Sequence, residues 1–185
     1  MSRRNRGEVM FLDRLLKPRP AKAAGSKLYA GAVAQARSAP LYVQMGVRDS
    51  LEGRFELFTL HVVLLLERLK GHGESAAELS QATFDAYVRG LDDAFREIGV
   101  SDTAVGKKMK KLAGAFYGRL KAFDEAVAGL PDQAALTDLL ARTAFEERGE
   151  GDVAALTAYV VAARDHLAAQ PLERLMQGEA QWLKA

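Results

Sequence analysis

Residues 49–73, "DSLEGRFELFTLHVVLLLERLKGHG", decide the fold. Phe55, Phe58, Val62, Leu65, Leu66 and Leu69 recur at helical spacing, and Leu57, Leu60 and Leu64 make the other sides apolar too. A helix apolar almost all round belongs in an interior. Its continuous apolar run, Val62–Leu66, lies between His61 and Glu67 and falls far short of the roughly 20 residues a bilayer span needs. The stretch therefore reads as the buried central helix of a bundle. Asp49, with Glu52 three residues on, reads as its N-cap and capping-box partner. Gly71 and Gly73 read as its end.

The flanking segments supply helices to cover it. Ser75 and Glu78 form a second S-x-x-E signal, followed by Phe84, Tyr87, Leu91, Phe95 and Ile98 at amphipathic spacing up to Gly99. A third helix starts at Ser101 or Asp102 and carries Met109, Leu112, Phe116, Leu120, Phe123 and Val127 on one face. Pro131 is expected to open a helix with Leu136, Leu139 and Leu140 inward. Asp152 is expected to cap a last long helix with Val153, Leu156, Tyr159, Val160, Ala163 and Leu167 inward, closed by Pro171. A short turn, "LERLM", and an aromatic tail at Trp182 follow. Upstream, "AKAAGS" after Pro20 reads as a linker. Leu28, Ala32 and Ala36 form a modest stripe that Pro40 ends, and "LYVQMGVRD" reads as an irregular, packed connection. No stretch alternates with period two, so the expected class is all-α: an irregular, single-domain bundle of about six to eight helices. Residues 1–24 are set apart as a basic segment with a short amphipathic helix, and 25–185 as the folded domain.

With 185 residues, 49% apolar and 27% charged, the composition is that of a globular chain. There is no cysteine, which excludes disulfides, thiol catalysis and cysteine-ligated metal. His61, His72 and His166 have no metal-ligand spacing, and no phosphate loop or nucleophile elbow occurs. Asp92–Asp93 and Glu146–Glu147 are neighbours that diverge on a helix and read as solvated faces. His61, on the buried helix, reads as a hydrogen-bonded core residue. No catalytic residue, cofactor or metal is expected.

The positive charge is local. Residues 1–20 carry six basic groups against two acids, whereas the whole chain is only +2. Met10, Phe11, Leu15 and Leu16 share one face of a short helix, giving Arg3, Arg4, Arg6, Phe11, Arg14, Leu15 and Lys17 as a candidate membrane-surface foot; the alternatives are a frayed terminus, or an organelle targeting peptide, against which Glu8 and Asp13 speak. No signal-peptide h-region is seen. The second basic site is "GKKMKKLAGAFYGRLKAF", Gly106–Phe123, with six basic residues and no acid. Lys107, Lys108, Lys110, Lys111, Gly114, Tyr117, Gly118, Arg119 and Lys121 form a candidate partner-binding face. Gly114 and Gly118 share a narrow strip suited to close approach of a backbone, internal or foreign. The alternatives are a solvated face, or an RNA or ribosome site, for which Tyr117 is the one outward stacking ring. Specific DNA binding is not expected.

The stretches "LYVQMGVRDSLEGRFEL" (41–57), "LHVVLLLERLKGHG" (60–73) and "FDAYVRGLDDAFREIGVSDTAVGKKMKKLAGAFYGRLKAFDEAV" (84–127), in that order, resemble the ubiquinol–cytochrome c chaperone family, in its bacterial branch. The resemblance covers about Lys27–Glu147 and fades toward "MQGEAQWLKA". It implies a non-enzymatic chaperone that holds newly made cytochrome b during assembly of the respiratory bc complex. The implied location is the cytoplasm or the inner face of its membrane, and a small helper protein or the ribosome is an implied partner.

Overall fold

The computed structural model describes residues 20–97, 99–145 and 151–184. Among these, eight helices and no strand are present: α1 (Pro20–Ala36), α2 (Ala39–Val43), α3 (Leu51–Leu69), α4 (Glu74–Glu97), α5 (Asp102–Val127), α6 (Ala134–Ala144), α7 (Val153–Ala168) and α8 (Leu172–Met176). The all-α bundle expected from the apolar periodicity is what the chain forms.

α3 is the axis. Leu57, Val62, Val63, Leu64, Leu65 and Leu69 are all fully buried, and α1, α4, α5, α6 and α7 each pack against it. Covering a helix on every side removes about 1.5–3 kcal/mol worth of apolar side chain from water per large residue, which explains why the most apolar segment took this position. α1 lies along α4 in the same direction: Gly25 meets Ala82 and Thr83, and Gly90 meets Tyr29. A Cβ on Gly25 would sit 2.6 Å from the Ala82 carbonyl carbon, so the two backbones touch there.

Several boundaries differ from the sequence expectation. Ala21–Ser26 is helix, not linker: α1 spans Pro20–Ala36. Pro40 does not end a helix but sits in the first turn of α2. The cap of α3 is Ser50, whose hydroxyl accepts from the Gly53 N–H; Asp49 instead chelates the Arg54 guanidinium. α4 begins at Glu74, so Ser75 is already inside its first turn, and the Gly73 carbonyl accepts from the Ala77 N–H. Pro131 lies in a turn after a cis peptide bond, and α6 starts at Ala134, whose N–H is received by the Asp132 carboxylate. Asp152 caps α7 as expected, through the Ala155 N–H at 2.8 Å. Ile98 and Glu146–Glu147 lie outside the described residues.

Candidate functional site: the outer face of α5 and the adjoining groove

α5 buries Val105, Phe116, Phe123 and Ala126, while Met109, Leu112 and Leu120 stay half-exposed. Its core stripe is therefore covered more fully in its second half. With about 100° per residue, Lys107, Lys110, Lys111, Gly114, Tyr117, Gly118 and Lys121 fall on the outward half. All seven are exposed, Tyr117 to 58%. A Cβ added at Gly114 or Gly118 would meet nothing within 4 Å. The glycine strip thus faces outward, and no helix among the described residues uses it. Lys107, Lys110 and Lys111 make no ion pair among the described residues.

The other candidates are engaged. Arg119 turns inward and forks onto both carboxylate oxygens of Glu56 at 2.8 and 2.9 Å, tying α5 to α3. That pairing raises the guanidinium pKa. Lys108 stands over the Phe95 ring at 5.3 Å on the flank toward α4. Lys121 has Glu125 at 3.7 Å, both well exposed, a contact of little energetic weight. Arg3, Arg4, Arg6, Phe11, Arg14, Leu15 and Lys17 lie outside the described residues.

Beside this face opens a groove that periodicity did not disclose. Its volume is about 390 Å³. Leu66 and Leu69 of α3, Phe84 of α4, and Phe116, Tyr117 and Leu120 of α5 form its walls. Tyr117 leans on Phe84, ring centroids 5.6 Å apart, so the exposed tyrosine is a fixed wall. The Lys70–Asp124 ion pair, 2.6 Å, crosses one side of the mouth. Gly71 and Gly73 (φ +80° and +87°), in the α3–α4 turn, also line the groove, which lies where α3, α4 and α5 meet. Such a gap depends on inter-helix angles, which the spacing of apolar residues does not specify.

His61 is a core residue, as expected. It is fully buried; with the Nδ1–H donated to the Leu57 carbonyl, Nε2 accepts the Tyr159 hydroxyl, both at 2.8 Å. Burial pushes its pKa down to about 4, against the upward pull of the Leu57 bond. Tyr159 in turn accepts from Gln35 Nε2 at 2.9 Å, and burial raises its pKa to about 12. The network is closed and reaches no groove residue. No cluster of three or more His, Asp or Glu that could hold a metal occurs among the described residues, and none of their helices is long and apolar enough to cross a membrane.

The described residues thus form an all-α bundle with an outward cationic helix beside an apolar groove. Comparison with known proteins makes the class specific. The profile described as ubiquinol-cytochrome C chaperone matches residues 43–182, and the chain belongs to that family. The match extends through Trp182, further toward the C-terminus than the sequence resemblance did. The chain is similar to the crystal structure of the Cbp3 homolog from Brucella abortus, with a TM-score of 0.81 and 33% identity, over 95% of this chain and 96% of that one. It is also 24% identical over 164 residues to the mouse ubiquinol-cytochrome c reductase complex assembly factor 1, covering 87% of this chain and 55% of that protein. The chain thus spans about half the length of this curated relative.

Proposed function

We propose that this chain is an assembly chaperone that binds newly made cytochrome b and hands it on to the respiratory ubiquinol–cytochrome c reductase complex, without catalysing a reaction. The observation that carries the reading is the outward glycine strip on α5, flanked by unpaired lysines and an apolar groove. Gly114 and Gly118 each cost α5 about 1 kcal/mol relative to alanine, and no packing among the described residues repays that cost. A foreign helix laid on the strip would use it: its backbone approaches the glycines, its apolar face enters the groove, and its flanking acidic or lipid-phosphate groups meet the lysines. A membrane-protein client is met at an anionic bilayer, where each nearby lysine gains ~1 kcal/mol. The basic segment with Arg3, Arg4, Arg6, Phe11, Arg14, Leu15 and Lys17 is proposed to rest on that surface, at the inner face of the cytoplasmic membrane.

Reversing Lys107, Lys108, Lys110 and Lys111 to glutamate tests this. Client capture at low salt is expected to weaken about tenfold with the helical circular dichroism and melting temperature retained; unchanged capture removes the face from the mechanism. In cells, deletion of the gene is expected to remove b-type haem and the bc complex selectively. An RNA or ribosomal target is the second reading, favoured by the exposed Tyr117 ring among lysines. Binding to RNA alone would support it.

A further inference from the structure

The C-terminal residues return across the bundle. After α8, Gly178 (φ +81°) turns the chain; its Cα lies so close to α1 that a Cβ would stand 2.8 Å from the Ala24 carbonyl oxygen. From there residues 179–184 run along the outer side of α1. Trp182 is the one tryptophan of the chain. Its indole lies 5.1 Å from the His61 ring, and a Cβ on Gly31 would stand 3.4 Å from Nε1. α1 and α7 make at most marginal direct contact, so the indole fills the space between Gly31 on α1 and the His61–Tyr159 pair on α3 and α7.

At its root Glu179 pairs with Arg174 at 3.4 Å, both side chains about half exposed, and its N–H donates to the Arg174 carbonyl at 2.9 Å; beyond that the fastenings are few and neutral. Gln170 Oε1 accepts from the Gln181 N–H at 2.8 Å, and Gln170 Nε2 donates to the Gln181 carbonyl at 2.7 Å. Gln35 Nε2 donates to the Leu183 carbonyl at 2.7 Å. The indole N–H is buried without a hydrogen-bond partner among the described residues. An unsatisfied buried donor opposes closure, as does the ordering of several backbone residues, and Trp182 remains partly exposed. By contrast α3 beneath is held by fully buried leucines and valines.

We infer that residues 179–184 are a detachable strap that seats Trp182 over His61 and Tyr159 and opens on its own while the bundle stays folded. Closed, the strap clamps α1 to α7; open, it bares the Gly31–Gln35 face of α1. This is independent of the α5 face and of the chaperone reading.

The test uses the full chain. Hydrogen exchange of the Gln181 amide is measured against the amides of Val62–Leu65 across low urea concentrations, with acrylamide quenching of Trp182 as the second probe. Gln181 is expected to exchange at least ~100-fold faster than the α3 amides and without dependence on urea, the mark of local opening. Gln170→Ala, at a position outside the core, is expected to speed that exchange about tenfold through loss of its two hydrogen bonds, to increase quenching, and to leave the melting temperature unchanged. The proposal is overturned if Gln181 exchange rises with urea along the global unfolding slope, or if Trp182 becomes quenchable only as the helical signal melts.

Discussion

His61 shows how burial alone sets a pH dependence. The unfolded chain takes up a proton on this imidazole near 6.5, the folded chain near 4. Between those values the unfolded state binds more protons, so stability rises with pH; the contribution is complete above about 6.5 and is lost as pH falls toward 4. The gap corresponds to ~3 kcal/mol. Urea unfolding at pH 7 and pH 4.5 is expected to reveal that loss, and His61→Gln, which cannot titrate, is expected to flatten it; an equally steep variant would assign the slope to other groups. Arg119 makes the complementary point for charge. Its removal strands the Glu56 carboxylate, which is only 14% exposed. Arg119→Ala is therefore expected to cost about 2 kcal/mol, whereas Lys107→Ala should stay within about 0.5 kcal/mol, as chemical denaturation would show. A basic residue in a lysine-rich run can be a strut, and no spacing rule distinguishes the strut from its neighbours.

At the scale of elements, glycines separate internal from external contacts. Gly25→Ala drives a methyl into the Ala82–Thr83 backbone of α4, with 2.6 and 2.7 Å approaches that no rotamer can relieve. A loss of about 1–3 kcal/mol is expected. Gly118→Ala meets nothing and should stabilise α5 by about 1 kcal/mol; if the strip seats a client helix, the same change weakens client capture. A thermally stronger variant with full capture would take the strip out of the interface. These positions also explain what was legible in the sequence. The cores of α3, α5 and α7 follow from periodicity because burial of their apolar faces dominates the energetics; in α4 the buried positions are Ala76, Leu79, Thr83, Ala86 and Tyr87, while Phe84, Leu91 and Phe95 of the expected stripe stay partly exposed. α1 was read short because Gly25 and its small neighbours resemble a linker, whereas their smallness serves the contact with α4. The sequence does not separate Asp49 from Ser50 as the cap of α3, since both are competent; the structure uses Ser50 because Arg54 claims the aspartate. The lysines of α5 were visible, but the groove beside them is made by three elements diverging, and the strap by a hydrogen-bond set spanning more than 140 residues between Gln35 and Leu183.

For the whole molecule, the two halves of the proposed client site obey different physics, and salt separates them. The lysines act across solvent, where the screening length falls from about 10 Å at 0.1 M to about 3 Å at 1 M salt. The groove acts by burial of apolar surface around Leu66, Phe84 and Leu120, which added salt does not screen. Client capture is therefore expected to weaken roughly tenfold on going from low to high salt and then to level off. Binding to RNA through phosphates would instead keep falling along a straight line of log affinity against log salt. Tyr117→Ala, an exposed groove wall, is expected to leave folding intact and to remove the salt-resistant remainder, while the Lys-to-Glu variant removes the salt-sensitive part. A salt-resistant remainder untouched by Tyr117→Ala would move the apolar contact elsewhere on the bundle. Exposed Val43 and Leu51, near the α2–α3 turn, would then be the next surface to mutate.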